Sequence, residues 1–312
     1  MVCSLLFLPH SDTERRQTVD QILNLLASTS GISITTLLLS TLAYSSPLIL
    51  CALGGLFSER SGVINIGLEG KMLAAACATA FVGAASQNPV VGLSAGIGIA
   101  ILLSLLHWIL TQVYQIDHII SGMGINALAL GGTSLVSKTF VELGGKDAAI
   151  FPRELYYLAA WVAAAAIWYL FRSTRPGLRI FAVGNDPDKS RQMGLKPLGI
   201  RLQSLVMTGV LTGLAGALIA TNAGRFSDEM TSGRGYIALA ALILGGWKPW
   251  PTLLAALAFG FFGSLQLILQ GRDLGGLAVP GEFWQALPYL ITLIALAGML
   301  GRNRAPAGLG QP

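Results

Sequence analysis

Charged residues are scarce in this sequence. Only 11% of its 312 residues are Asp, Glu, Lys or Arg, whereas soluble domains carry about 25%. So few charges cannot cover a water-facing surface of this size, and much of the surface must therefore face an apolar medium. The hydrophobic share of 53% and the mean hydropathy of +0.66 agree with this conclusion. The composition excludes a soluble single-domain protein.

The sequence also lacks the motifs of most enzymes and metal proteins. Its three cysteines, Cys3, Cys51 and Cys77, are scattered, with no CxxC pair and no nearby histidine, so neither a disulfide framework nor a metal site is predicted. There is no GxxxxGK[ST] phosphate loop, no HExxH and no plausible Ser-His-Asp arrangement. We predict that the chain is not an enzyme and binds no cofactor of its own, so that any ATP and Mg²⁺ would be bound by a separate chain.

Long apolar runs take the place of these motifs. A helix needs about 20 apolar residues to cross a bilayer. The runs with few or no charges fall at 34–56, 64–85, 90–112, 119–137, 155–172, 204–222, 236–246, 251–270 and 283–300. They predict an all-α fold, a polytopic transmembrane helical bundle of about 8–10 spans that has the lipid bilayer as its surroundings.

The run 236–246 is shorter than the others. It ends in Gly245-Gly246, and Pro249 and Pro251 follow. A short segment interrupted by glycine and proline predicts a broken or re-entrant helix. Such backbone is tolerated in a membrane only where it is buried in protein or lines a wet cavity. This run is therefore a candidate part of a translocation path.

Two weaker patterns concern how the spans are organised. Gly209, Gly213 and Gly216 recur at helical spacing, which predicts a close approach between helices. Ile125–Gly132 resembles Ile237–Gly246, and transporters are often built from two repeats. A two-repeat organisation and chance similarity of apolar segments both remain open.

Positive charge is concentrated in the segment 172–201. It holds seven Lys and Arg residues against two Asp, which equals the whole net charge of +5. The positive-inside rule places this loop in the cytoplasm, and nucleic-acid binding is not predicted. Within it, Asn185-Asp186-Pro187 is a helix-start signal that predicts a short helix over about 187–193, ending at Gly194.

These patterns divide the chain into three parts. Residues 1–33 are assigned to an N-terminal extension, for which an interfacial helix or a partial span remain alternatives. Residues 34–301 form a single transmembrane domain, and 302–312 form a short tail. If 236–246 crosses the membrane, Arg302 and Arg304 lie in the cytoplasm, and the positive-inside rule favours this over a re-entrant course.

Several stretches resemble a known family. They are Gly54–Gly70 (GGLFSERSGVINIGLEG), Asp117–Leu130 (DHIISGMGINALAL), Gly177–Pro187 (GLRIFAVGNDP) with Arg191–Gly194 (RQMG), and Met230–Ala241 (MTSGRGYIALAA) with Gly245–Trp247 (GGW). Together they resemble the permeases of branched-chain-amino-acid and simple-sugar ABC importers, in particular the nucleoside-type branch, over roughly 40–300. The sequence departs from the family at Lys71, where an apolar residue is usual.

The resemblance implies a permease subunit of a bacterial ABC importer for nucleosides or related sugar-bearing solutes, in the cytoplasmic (inner) membrane. It implies three protein partners: an ATP-binding ABC subunit, a second homologous permease subunit and an extracytoplasmic substrate-binding protein. The helix at 187–193 would be the coupling helix that contacts the ATPase. The residues assigned to it are Gly184, Asn185, Asp186, Pro187, Arg191 and Gly194. Whether the permease pair is a homodimer or a heterodimer remains open.

Three polar residues within apolar spans are candidates for the substrate path. Glu69 is an ionisable group inside a span, which marks a pathway or a buried partner. Asn65 lies four residues earlier and is predicted to share a helical face with Glu69, and Asn126 offers the same amide chemistry in another span. Hydrogen bonding between helices is the alternative for both asparagines.

The remaining readings concern histidines and the energy source. His107, beside Trp108, is predicted to lie in the interfacial belt, and His118 is predicted to be solvated. The alternative function is an ion-gradient-driven secondary transporter of a small polar solute, which would rely on Glu69 as its membrane carboxylate.

Overall fold

The computed structural model describes residues 34–140, 149–270 and 305–311, together with Ala286 and Leu290. Over these residues every regular element is a helix. The helices are α1 (Ile34–Arg60), α2 (Leu68–Ser86), α3 (Pro89–Trp108), α4 (His118–Thr139), α5 (Arg153–Ser173), α6 (Arg175–Asn185), α7 (Pro187–Gln192), α8 (Pro197–Ala223), α9 (Arg234–Leu244) and α10 (Pro249–Leu269). A π-helical turn, Ile109–Val113, extends α3.

Seven helices in the described part of the chain are long and apolar enough to cross a membrane. They are α1, α2, α3 with its π-helical turn, α4, α5, α8 and α10, and each overlaps a predicted run. The all-α polytopic bundle is therefore confirmed. The predicted span 283–300 and the extension 1–33 lie outside the described residues.

The inner helices of the bundle are α1, α2 and α8. In α1 every residue from Ser45 to Glu59 is buried, and α8 packs against α1, α2 and α3. By contrast, α4 and α5 expose many apolar side chains, including Leu135 and Val162. Helices that are apolar on all sides need a protein or lipid environment on every face. In this bundle α4 and α5 present the lipid-facing or partner-facing sides.

Small residues bring α8 close to α2 and α3, as their spacing predicts. A Cβ on Gly209 of α8 would lie 2.7 Å from Cα of Ile101 in α3, and one on Gly213 would lie equally close to Cα of Ile97. Gly216 of α8 meets the main chain of α2 in the same way. These contacts pack backbone against backbone, where a larger side chain would separate the helices.

The short run 236–246 forms α9, which is the helical half of an interrupted passage from one end of the bundle to the other. α9 has 11 residues, so its length is about 16 Å, or half of the roughly 30 Å hydrocarbon core. It begins beside Glu69. Its far end leads into Trp247, whose indole Nε1 donates to Glu59 near the end of α1. The other half of this crossing, 224–233, is not helical.

A second break separates α1 from α2. The predicted span began at residue 64, but α2 begins only at Leu68, and 61–67 is a buried non-helical segment. Gly62, at a φ of +99°, ends the helix in a conformation that suits glycine. Because Val63, Ile64 and Ile66 are apolar, the hydrophobic run continues through the break and conceals it.

Candidate functional site: a polar cavity between two helix starts

Glu69 lies in the first turn of α2 and is half-buried. Its carboxylate accepts the backbone N–H of Gly233 at 2.8 Å and of Gly235 at 2.5 Å. These donors belong to the first turn of α9, whose N-cap residue, Gly233, has no side chain to satisfy them. Glu69 therefore caps α9 and places a negative charge at the positive end of its dipole.

Asn126 performs the matching task for α2. Its Oδ1 accepts the N–H of Gly70 at 2.8 Å. Its Nδ2 donates to the carbonyl of Ile66 at 3.0 Å and to Oη of Tyr236 at 2.9 Å. One side chain on α4 thus holds the start of α2, the end of the 61–67 segment and the first turn of α9.

Glu69 and Asn126 line a common cavity of about 450 Å³. Its polar wall consists of Glu69, Asn126, Glu229, Thr231, Ser232 and Tyr236. The remaining wall is mainly apolar and includes Leu73, Met123 and Leu130. Small-molecule sites have this size and this combination of an apolar wall with a few convergent polar groups. The structure therefore brings together two of the three predicted path residues.

The third, Asn65, lies elsewhere. It is fully buried, belongs to the non-helical 61–67 segment and is not part of the cavity lining. The prediction that it shares a helical face with Glu69 was wrong, because α2 starts after Asn65. Its Oδ1 instead accepts from Nζ of Lys71 at 2.9 Å, and its Nδ2 donates to Oγ of Ser58 at 3.2 Å.

Lys71, the departure from the family pattern, is also fully buried. Among the described residues the ion pairs join Arg153 to Glu154, Lys189 to Asp186 and Arg191 to Asp188, and none of them involves Lys71. A buried ammonium is costly unless its protons are satisfied. The amide oxygen of Asn65 is thus an important partner of Lys71.

Two histidines bind the 61–67 segment through the backbone of Ile64. Nδ1 of His118 accepts the N–H of Ile64 at 3.1 Å, and Nε2 of His107 lies 3.1 Å from the carbonyl oxygen of the same residue. Both imidazoles are buried. The predictions of an interfacial His107 and a solvated His118 were wrong, because the ends of α3 and α4 close over a buried segment that the sequence did not indicate.

Arg201 of α8 binds the start of the same segment. Its guanidinium donates to the carbonyl of Ser61 at 3.2 Å and to Oε1 of Gln112 at 2.6 Å, and its side chain is buried. Three helices, α3, α4 and α8, therefore hold the backbone of 61–67 through side-chain hydrogen bonds. This rigid segment leads directly into the first turn of α2 and into the cavity.

The predicted short helix of the basic loop is present as α7. The carboxylate of Asp186 accepts the N–H of Lys189 at 2.9 Å, Pro187 occupies the first turn, and Gly194 has a φ of +82°. The N–H and the ammonium of Lys189 lower the pKa of Asp186 below its ordinary value. Asn185 and Arg191 are exposed on either side of this cap.

A longer helix, α6, precedes α7 and was not predicted. Its buried face includes Ile180 and Val183, and its other face carries Arg175 and Arg179. Gly184, near its end, packs so closely on α1 that a Cβ would overlap the carbonyl oxygen of Arg60. A surface helix of 11 residues with two arginines gives no long apolar run, and the pattern of apolar runs therefore does not reveal it.

The C-terminal residues connect this helix pair to the 61–67 segment. The N–H of Gly308 donates to the carbonyl of Gly184 at 2.9 Å, and that of Gly310 donates to the carbonyl of Gly62 at 2.9 Å. The tail therefore lies at the same end of the bundle as the basic loop. This is the placement that follows if the broken crossing traverses the membrane.

Together these features define a class of protein. The described residues contain seven membrane-length helices, a polar cavity at the starts of α2 and α9, and a capped helix pair on the basic side. These are the parts of a multi-pass membrane transport subunit.

The family follows from comparison with known proteins. The model of the family "Branched-chain amino acid transport system / permease component" matches residues 37–296, and the chain belongs to this family. The guanosine ABC transporter permease protein NupQ of Bacillus subtilis is 36% identical over 88% of this chain and 94% of the relative. The nucleoside ABC transporter permease protein NupC of Lactococcus lactis is 34% identical over 86% of this chain and 93% of the relative. The putative glucose ABC transporter permease protein TsgC13 of Haloferax volcanii is 31% identical over 76% and 79%.

Family membership confirms the predicted class. The chain is a multi-pass ABC importer permease of the bacterial cytoplasmic membrane, and the secondary-transporter alternative is not favoured.

Proposed function

We propose that this chain is the permease subunit through which a bacterial ABC importer moves nucleosides, or related sugar-bearing solutes, into the cell. The observation that carries the proposal is the cavity at Glu69 and Asn126, where a carboxylate, an amide and hydroxyl groups converge beside an apolar wall. Such a lining suits an uncharged solute with many hydroxyl and amide groups. The guanosine and nucleoside names of two similar permeases support the same substrate class.

The proposal includes three protein partners and a division of the chain. An ATP-binding subunit docks on α7 through the assigned residues Gly184 to Gly194, and it supplies ATP and Mg²⁺. A second homologous permease covers the open side of the cavity, where Met123 and Leu130 are exposed. A substrate-binding protein delivers the solute from the opposite end. Residues 34–301 form the permease domain, flanked by 1–33 and 302–312.

The contacts suggest how ATPase movement reaches the cavity. Closure of the ATPase shifts α7 together with α6, and Gly184 presses directly on the end of α1. The tail connects the same glycine to Gly62 and hence to the 61–67 segment. That segment leads into the first turn of α2, where Glu69 lies, and its Ile66 carbonyl accepts a hydrogen bond from Asn126. The cavity can then change access because the two ATPase states make different contacts with α7.

Affinity purification followed by reconstitution tests this function. The tagged chain is extracted gently from native membranes, and we expect an ATP-binding subunit and a second permease to copurify. In proteoliposomes with the binding protein, labelled guanosine uptake should require ATP and persist with a protonophore present. Uptake that stops with the protonophore while ATP is held constant, or ATP-dependent uptake of another solute only, would contradict the proposal.

A further inference from the structure

The cavity carries negative charge that is not balanced within its lining. Glu69 and Glu229 both line it, and the lining found in the described structure contains no Lys, Arg or His. Glu69 uses its oxygens to cap α9, but each carboxylate oxygen keeps a further lone pair for a ligand. An anionic solute would therefore meet two carboxylates and no cationic side chain.

Glu229 differs from Glu69 because its carboxylate is available. It is exposed, and between described residues its carboxylate forms no ion pair or hydrogen bond. Its backbone lies in the left-handed region at a φ of +56°, and its carbonyl accepts the N–H of Ser232 at 2.8 Å. A non-glycine residue held in this conformation is uncommon and costs free energy. The turn thus fixes the backbone that carries this free carboxylate at the cavity wall.

Tyr236 provides a flat aromatic surface on the same wall. Its side chain is 47% exposed, and its hydroxyl accepts a hydrogen bond from Nδ2 of Asn126, which fixes the orientation of the ring. No aromatic ring of another described residue stacks on it. Exposed aromatic rings in nucleic-acid-binding proteins stack with bases of any sequence.

We propose that this cavity selects neutral nucleosides and rejects nucleotides, with Tyr236 stacking on the base and Glu229 accepting hydrogen bonds from the sugar hydroxyls. The inference rests on the proposed function and assigns specificity within the same site. Glu69 and Glu229 together repel a phosphate group, which carries between one and two negative charges at neutral pH. A free sugar lacks the base and therefore forms no base stack on Tyr236.

The plain alternative is that Tyr236 and Glu229 contact lipid or the second permease subunit. In that case their substitution would alter assembly without changing which solute binds. Direct binding measurements separate the two readings. They are made on the permease–ATPase complex in lipid nanodiscs without the binding protein, because that protein would otherwise dominate the apparent affinity.

The probes are labelled guanosine, guanosine monophosphate and ribose. We expect the wild-type complex to bind guanosine at least tenfold more tightly than either of the others. Tyr236→Leu should weaken guanosine binding about tenfold, as loss of one stacking contact predicts, and leave ribose unaffected. Tyr236→Phe keeps the ring and should lose less guanosine affinity than Tyr236→Leu. Glu229→Lys should lower the preference for guanosine over its monophosphate by about tenfold, and Glu229→Gln should lower it less.

Two variants outside the cavity serve as matched controls. Tyr169→Leu removes an exposed tyrosine of α5, and Glu154→Gln removes an exposed carboxylate at its start. Both should leave binding unchanged. If Tyr236→Leu binds guanosine like the wild type, or if Glu229→Lys keeps the full preference, the inference is wrong although guanosine uptake stands. A wild-type complex that transports no nucleoside would overturn the proposed function and this assignment together.

Discussion

At the scale of single residues, Glu69 combines a structural task with its place in the cavity. An ionisable group at membrane depth is costly unless its charge is matched by donors or a partner. Here two backbone N–H groups and the dipole of α9 provide that match. The same contacts explain why the short helix can begin inside the bundle.

Substituting Glu69 should therefore affect both folding and transport. In Glu69→Ala the donors of Gly233 and Gly235 lose their acceptor, which we expect to cost about 1–3 kcal/mol and to abolish uptake. Glu69→Gln retains one acceptor oxygen, so its stability and its uptake should lie between those of the wild type and Glu69→Ala. Thermal melting of the purified complex and guanosine uptake provide the measurements, with Glu154→Ala as the exposed control. Unchanged melting of Glu69→Ala would show that it does not cap α9.

The pair of Asn65 and Lys71 makes a separate prediction at this scale. Asn65→Ala leaves the buried Lys71 ammonium without its amide partner, and we expect a loss of about 2 kcal/mol or more. Lys71→Met replaces the cation with an apolar chain of similar length. If the pair is coupled, the double variant should be less destabilised than the sum of the single variants, in a double-mutant cycle of melting free energies. Additive effects would mean that the amide does not stabilise Lys71.

At the scale of elements, run length and charge predicted the membrane helices well. Most of their ends differ by four residues or fewer, since an apolar run reports where lipid or core contact begins. The exception is α8, which begins seven residues earlier, at Pro197, because the helix continues through the buried Arg201. The break at 61–67 was not predicted because Val63, Ile64 and Ile66 join it to the apolar run of the following helix. The helix α6 was missed because it has only 11 residues and carries arginines on its exposed face. Glu69 and Asn126 were identified since polar groups stand out in apolar spans. Tyr236 and Glu229 enter the cavity only through tertiary proximity, which no local pattern reveals.

The contact between α6 and α1 yields a prediction about Gly184. A Cβ at this position would overlap the carbonyl oxygen of Arg60, so Gly184→Ala should push α6 away from α1 and weaken association with the ATPase. Gly199→Ala is the control, because a Cβ added to Gly199 of α8 would meet no atom within 4 Å outside its own stretch of helix. This substitution should be neutral or stabilise the helix by about 0.5–1 kcal/mol. Both variants are tested by the amount of ATPase that copurifies and by the melting temperature. If Gly184→Ala matched Gly199→Ala in both measurements, the close contact between α6 and α1 would be contradicted.

At the scale of the whole molecule, the cytoplasmic face and the cavity are joined by two parallel routes. One passes from Gly184 to the end of α1, and the other passes through the tail to Gly62. Both routes end on the 61–67 segment or next to it. Hydrogen bonds from His107, His118 and Arg201 also hold this segment. A rigid segment with fixed contacts at both ends can transmit a displacement, whereas a flexible loop would absorb it.

This arrangement predicts that the tail affects coupling more than assembly. Gly308→Pro removes the N–H that donates to Gly184. It also adds bulk beside Gly184, because a Cβ at this position would lie 2.9 Å from the Gly184 carbonyl oxygen. We expect the ATPase still to bind and hydrolyse ATP, while solute uptake per ATP hydrolysed falls several-fold. Ala307→Gly, at the exposed neighbouring position, should keep the wild-type ratio. Parallel measurement of ATP hydrolysis and guanosine uptake in proteoliposomes gives this ratio. An unchanged ratio for Gly308→Pro would assign transmission to α1 alone, because the connection through Gly308 would then carry no displacement to Gly62.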